Sequence, residues 1–174
     1  MILPESIDTA RLRLRAPRLE DAEEIFSGYA QDLAVVKYLI WRPHKSVADT
    51  REFLGRCIDD WRKDAGFAYV LCRKSDGKLL GMAEVGTDGS LGYVLARAHW
   101  SQGYVTEAVK AIVDLVLHQG DIPKIWAHCD VDNPASARVM QKVGMKFEGI
   151  LPRNTLHPNV SDEPRDMLSY SIHQ

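Results

Sequence analysis

The sequence predicts an α/β fold of mixed type: a mixed, mostly antiparallel sheet of seven strands with helices on both faces. Three observations lead there. Short apolar runs and amphipathic stretches follow one another as strand, two helices, three strands, helix, strand, helix, two strands, an order that needs helices on either side of a sheet. Asp76-Gly77 and Asp88-Gly89 stand between short apolar runs as hairpin turns. Val105, Ala108, Val109, Ile112, Leu115 and Val116 recur on one face of a helix that opens just after Gly103.

Taken in order, Ala10 to Arg15 alternates apolar and basic residues, as a half-buried strand with a solvated cationic face does. Pro17 ends it, and Glu20, Asp21, Glu23 and Glu24 form an acidic helix start that the helix dipole favours. Ser46 to Asp49 is a capping start for a helix running through Phe53, Leu54, Cys57, Ile58 and Trp61. Ala68–Arg73, Leu79–Val85 and Leu91–Leu95 are the three meandering strands. Gly120 and Pro123 stop the central helix, and Ile125–Cys129 is the next strand. Asn133-Pro134 is an N-cap followed by proline at the first helical position; that helix turns Ser136, Val139, Met140 and Val143 inward and ends at Gly144. Lys146–Leu151 and Met167–Ile172 close the sheet, with Asn154 to Asp162 expected as a mobile loop between them.

The 174 residues fit one domain, residues 1–174, with room for a sizeable core. Twenty-two basic and 24 acidic residues give a net charge of −2, which does not point to nucleic acid as a partner. No apolar run approaches the ~20 residues of a membrane span, and the N-terminus lacks a secretory signal pattern. The 3 cysteines, Cys57, Cys72 and Cys129, are odd in number and widely spaced, which suits reduced thiols in the cytoplasm. The 6 histidines show no paired ligand spacing, so no metal is expected.

The most informative stretch is Trp100 to Glu107, where a strand turns through Gly103 into the central helix. Such a turn is either purely structural or an anion site, because the free N–H groups and positive dipole end of a helix converge there. It lacks the lysine of a P-loop and the G-x-G-x-x-G of a dinucleotide fold, so a pyrophosphate diester suits it better than a transferable terminal phosphate.

These residues, in this order, resemble the GNAT superfamily of acetyl-CoA-dependent N-acetyltransferases, nearest the RimJ/RimL-like branch that acetylates ribosomal-protein N-termini. The resemblance runs from Thr9–Arg15 through Gly92–Leu95 and Trp100–Ala108 to Asn133–Val139 and Lys142–Gly149. Two departures stand out. Trp100 opens, and Val105 closes, a turn that the superfamily writes Q/R-x-x-G-x-G/A, and Met145 replaces an aromatic. The resemblance implies a sheet splayed at its middle and acetyl-CoA as co-substrate. Its pyrophosphate would lie on the N–H groups of Gln102, Gly103, Tyr104, Val105 and Thr106, and its pantetheine arm would pair with Val94 and Leu95. Asn133 either binds the pantetheine amides as well as capping its helix, or only caps it.

An activated thioester leaves the protein to align an amine, hold the oxyanion and protonate the departing thiolate. A strand N–H, that of Leu95 among them, fits the oxyanion. Ser136 is the candidate thiolate proton donor, or else a helical serine bonded to its own backbone. Glu84, acting through a water, is the candidate base, with His128 and His157 as alternatives. Cys129 is either an acyl carrier or an inert buried thiol. Neutralising an α-amino group at pH 7 costs ~1 kcal/mol, whereas a lysine costs ~4.6 kcal/mol, so a chain without an obvious strong base fits an α-amino or other weakly basic acceptor. Trp41, Arg42 and His44 with Arg153–Pro164 are the expected acceptor wall, although Trp41 equally suits packing against a helix. The branch commonly dimerises, so a homodimer is compatible, but no apolar stripe marks an interface. A non-catalytic acyl-CoA-binding module and an acyltransferase for longer chains remain alternatives at this level.

Overall fold

A computed structural model describes all residues, Met1–Gln174. Eight strands form two sheets in place of one seven-stranded sheet. The first has the order β1 (Ser6–Asp8), β2 (Leu12–Arg15), β3 (Gly66–Arg73), β4 (Leu79–Gly86), β5 (Leu91–Leu95). The second has the order β6 (Lys124–Asp130), β8 (Arg165–His173), β7 (Lys146–Thr155), and every pairing within either sheet is antiparallel. At 3 residues, β1 is too short to carry a period of its own, which is why the sequence pattern does not reveal it.

The two sheets touch at one point. Ser90 and Trp126 form an isolated parallel bridge, and Trp126 N–H donates to Gly89 O at 2.9 Å. Gly89 makes this contact possible. Its φ is +82°, and a Cβ there would stand 2.2 Å from Lys124 O. Beyond the bridge β5 and β6 diverge without further pairing, so together they form a V.

Helices cover both faces, and β3 shows why it reads as a continuous apolar run. Phe67, Tyr69 and Leu71 enter one core with α4 (Tyr104–Gln119) and α5 (Pro134–Lys142). Ala68, Val70 and Cys72 enter the other, with α1 (Ala22–Ile25) and α3 (Val47–Arg62). The first core takes the inward side chains of α4, namely Ala108, Val109, Ile112, Val113 and Val116, together with Met145. Each large side chain so enclosed contributes about 1.5–3 kcal/mol. Between α1 and α3 lies the short α2 (Leu33–Val36), which the sequence pattern did not resolve.

Local chemistry sets the other boundaries. Ser46 and Asp49 form a reciprocal capping box at α3, and Asn133 Oδ1 accepts from Ser136 N–H at 3.2 Å at the start of α5. The expected early acidic helix is broken into a 3-10 turn at Leu19–Asp21, α1 and a π turn at Phe26–Ala30. Asp21 holds that entrance by binding Arg15 at 2.6 and 2.9 Å and Arg18 N–H at 2.8 Å.

Two expectations are corrected here. The cationic face of β2 is not simply solvated, since Arg15 binds Asp21 and Arg11, just before the strand, binds Glu107. The segment Asn154 to Asp162 is not a free loop. Asn154 and Thr155 belong to β7, His157 is buried, and Asn159 Nδ2 donates to Val36 O and Trp41 O at 2.8 Å each. A Pro-Asn-rich stretch looks mobile from composition alone; long-range hydrogen bonds to α2 and its following loop fix it in place.

Candidate active site

The site begins where α4 starts. Gly103 occupies the N-cap with φ +79° and ψ 4°, and Ser101 before it also has a positive φ of 60°. Unlike α3 and α5, α4 has no side-chain cap. The N–H groups of Ser101, Gln102, Gly103, Tyr104, Val105 and Thr106 find no acceptor within the chain, and the first helical bond runs from Glu107 N–H to Gly103 O at 3.0 Å. Six free donors at the positive end of a 16-residue helix could hold an anion.

Two long-range contacts hold this turn. Trp100 Nε1 donates to Leu95 O at 2.7 Å and ties the turn to the end of β5, which gives the departure at Trp100 a structural purpose. Arg11 binds Glu107 through Nε at 2.7 Å and its own N–H at 2.8 Å, donates to Gln102 O at 3.0 Å, and lies 4.4 Å above the Tyr104 ring. Thr9 Oγ1 adds a bond to Glu107 at 2.6 Å. Although burial works against the charge of Glu107, these donors outweigh it and hold the carboxyl below its usual range.

The second component is the free edge of β5. Ala96 N–H donates to Leu80 O and Ser90 O accepts from Gly86 N–H, so the even-numbered residues direct their main-chain groups at β4. By strand alternation Tyr93 and Leu95 direct theirs into the V. This corrects the expected pairing at Val94: its main-chain groups are turned to β4, and the open-edge register is Tyr93 and Leu95. With Leu95 O taken by Trp100, Leu95 N–H remains free there.

Below that edge, Tyr93 Oη lies 2.8 Å from Ser136 Oγ and donates to Ser136 O at 3.0 Å. Ser136, half-buried, therefore bonds across the V rather than to its own helix. Cys129 on β6 neighbours it; burial pushes this thiol up to about 11, with the Ser136 hydroxyl only partly offsetting that. A thiol kept protonated is a poor acyl carrier. Asn133 caps α5 through Oδ1, and its Nδ2 makes no bond within the chain.

The α1–α3 side of the sheet carries the remaining candidates. Glu84 on β4 lies opposite Gly92 with an exposed side chain that neighbouring protein atoms still partly desolvate. Burial first and Asp60 second raise its pKa. Trp41 stacks on His44 at 4.9 Å and faces Phe53 at 6.5 Å. His44 Nδ1 lies 2.8 Å from Thr50 Oγ1, and burial lowers its pKa, which favours the neutral ring. Arg42 is exposed and unpaired. Asn159 joins the Trp41 loop to the β7–β8 loop, so the two early and late segments of the expected acceptor wall do meet. His128 stacks on Trp126 at 4.7 Å in an open groove of about 490 Å³ beside the sheet junction, lined also by Lys124, Glu148 and Ser169.

A family model described as the acetyltransferase (GNAT) domain matches residues 11–146. The chain belongs to the GNAT acetyltransferase family. Among its GNAT relatives is the uncharacterized N-acetyltransferase YoaA of Bacillus subtilis (strain 168), 26% identical over 95% of each chain. The crystal structure of the microcin C7 self-immunity acetyltransferase MccE, in complex with acetyl-CoA and AMP, shares the fold with a TM-score of 0.88 at 23% identity, covering 99% of this chain and 98% of that one. RimL, the ribosomal L7/L12 α-N-protein acetyltransferase in complex with coenzyme A, does so with a TM-score of 0.87 at 20% identity, covering 97% and 98%.

Three groups around this candidate site carry no sequence signal that marks them as site residues. Arg11 is one of three alternate arginines and carries nothing that separates it from Arg13 and Arg15. Tyr93 stood out only as a strand residue. Asp130, with Arg165, forms a buried ion pair around His157 that only the packed chain reveals.

Proposed function

We propose that the protein transfers the acetyl group of acetyl-CoA to an α-amino or other weakly basic amine by direct attack. The observation that carries this reading is the uncapped start of α4 beside the open edge of β5, a phosphate cradle continuous with a strand-pairing edge. Acetyl-CoA supplies an activated acyl group, and the diphosphate of its coenzyme A part is bound by the N–H groups of Ser101–Thr106. The main-chain groups of Tyr93 bind the pantetheine amides, with Asn133 Nδ2 as a further donor, and Leu95 N–H is the donor for the oxyanion. Ser136 Oγ gives a proton to the leaving sulfur and is resupplied through Tyr93. Glu84, with its raised pKa, receives a proton from the acceptor side through a water. Trp41, Arg42 and His44 form the outer acceptor wall. RimL, which shares this fold, acts on a protein α-amino group, and a peptide N-terminus is the acceptor class that the modest base strength of this site suits.

The test is thiol release from acetyl-CoA across N-terminal peptides, polyamines and aminoglycosides. Release with peptide N-termini and not with their lysine side chains is expected. No release with any amine, despite bound coenzyme A, would leave a binding module instead.

Two substitutions probe the assignment. Ser136→Ala should lower kcat about tenfold with little change in the KM for acetyl-CoA, because it removes a proton donor used only as the thiolate departs. Equal loss in kcat and in coenzyme A affinity would place Ser136 in binding. Arg11→Ala should raise the KM for acetyl-CoA about tenfold, since it leaves the Glu107 carboxylate unneutralised beside the diphosphate. The double variant with Glu107→Gln should recover part of that loss; no recovery argues that Arg11 acts only through the shape of the turn.

A further inference from the structure

The V formed by β5 and β6 has a second chemically equipped wall, at its mouth. Counting four residues from the Ser90–Trp126 bridge along each strand reaches Val94 on β5 and Asp130 on β6, each about 13 Å from the bridge. Ile125, Ala127 and Cys129 enter the α4–α5 core, so Asp130 faces the opposite, acceptor side, as Val94 does.

Asp130 is fully buried and holds His157, itself 2% exposed, through an Nδ1 to Oδ2 bond of 2.9 Å. Arg165 binds the same carboxylate at 2.5 and 2.9 Å and reaches Asp132 at 2.5 Å, and Asp132 N–H donates to Asp130 at 2.9 Å. Burial of Asp130 opposes its charge, but Arg165, Asp132 N–H and His157 outweigh this and bring its pKa to about 2. An ionised carboxylate only accepts, so Nδ1 carries the hydrogen, and Nε2 is the ring nitrogen left to take up or release a proton. Nε2 makes no bond within the chain. Tyr29 Oη is the sole fully enclosed side-chain polar atom lacking a partner, so Nε2 is not completely sealed, although the ring as a whole is only 2% exposed.

The charge bonded to the ring is Asp130, linked through Arg165 to Asp132, and the Tyr38 phenol stands edge-on at 6.3 Å with Lys37 4.9 Å over its ring. Asp130, Asp132 and Arg165 sum to −1, so protonating the imidazole makes the cluster neutral. An orienting carboxylate behind Nδ1 and a free Nε2 is the arrangement by which a histidine serves as a base.

We propose that His157 is a second proton acceptor of the transfer reaction, acting directly on an acceptor amine that enters at the mouth of the V, with Asp130 as its positioning residue. The proposal rests on the acetyl-transfer reading above. His157 Nε2 takes one proton from the acceptor ammonium and releases it to solvent after turnover. The freed nitrogen pair forms the C–N bond, and the C–S bond breaks with its electron pair leaving on sulfur. The second nitrogen proton balances the thiol, delivered by way of Ser136. Glu84, opposite Gly92 near the closed end, accepts that second proton through a water and returns it as Ser136 is resupplied, so nitrogen loses two protons in all, one ending in solvent and one on the thiol.

The test is the pH dependence of kcat/KM for the acceptor, measured with acceptors of different amine pKa. An enzyme base gives an acid limb that stays in place when the amine changes; a limb that follows the amine overturns the proposal without needing a variant. His157→Gln should lose at least tenfold at pH 7, and the deficit should shrink above the pKa of the amine, where no proton need be removed. Its thermal shift with coenzyme A should match the wild-type protein. Imidazole should restore His157→Ala in part. A deficit equal at every pH, or no rescue, overturns the proposal in favour of a structural pair. Absence of turnover in the wild-type protein with every amine overturns the acetyl-transfer reading and this proposal together.

Discussion

Gly103→Val is expected to weaken acetyl-CoA binding about a hundredfold while leaving kcat at saturating cofactor nearly unchanged. Space does not cause the loss. A Cβ at Gly103 would meet only Arg11 Nη2, at 3.5 Å, an ordinary contact. The cost lies in the backbone, because φ is +79° and a residue with a Cβ pays about 1–2 kcal/mol there, a β-branched one more. If valine relaxes to a negative φ, the N–H groups from Gln102 to Tyr104 swing away from their common focus. Losing even one charge-assisted bond adds about 1.5–3 kcal/mol, and a total near 3 kcal/mol is about two decades in affinity. The control follows from the same argument. Asparagine tolerates the left-handed region, so Gly103→Asn should lose less than about tenfold. Calorimetric titration with acetyl-CoA compares the two, and equal losses for Val and Asn would show that side-chain bulk, not backbone conformation, governs the turn.

That turn was legible in the sequence because all of its determinants are local: a glycine, an apolar strand before it and an apolar helical face after it. The capping box at Ser46 and Asp49 and the Asn133-Pro134 start were legible for the same reason. The residues that were not legible meet their partners across the fold. Arg11 and Glu107 are 96 positions apart, Tyr93 and Ser136 are 43 apart, and Asn159 is 123 positions from Val36. Nothing in the composition of the Asn154–Asp162 segment distinguishes an exposed loop from one anchored by two carbonyl oxygens. The Val94 register was missed for a different reason. Alternation identifies a strand but not which parity faces the neighbour, and only the Leu80–Ala96 and Gly86–Ser90 bonds fix it. Sequence periodicity thus located the turn and the strand proposed to hold the cofactor, whereas the segments proposed as the acceptor wall meet through contacts that exist only once the two sheets have met.

Asp130→Ala should cost about 3–5 kcal/mol of stability, since it strands the Arg165 guanidinium and the buried His157 ring without their shared acceptor. For a domain of this length, that corresponds to a fall in Tm of roughly 6–20 °C. Asp132→Ala removes only the exposed end of the same network and should change stability by less than about 1 kcal/mol. The pH dependence has a definite sign. The Asp130 carboxyl falls from 3.8 to about 2 in the folded chain, so its contribution is fully present above pH 3.8. It is lost as pH falls through 2, an effect on the order of 2 kcal/mol. Wild-type protein should therefore lose stability across that window with a steeper slope than Asp130→Ala. Because Asp130 joins the end of β6 to the β7–β8 loop through His157 and to the start of β8 through Arg165, its loss should also release the loop that Asn159 docks against Trp41. Hydrogen exchange at residues 157–161 should then rise in Asp130→Ala and stay at the wild-type level in Asp132→Ala. Equal melting temperatures and equal exchange for the two variants would mean that the buried carboxylate does not organise the acceptor wall.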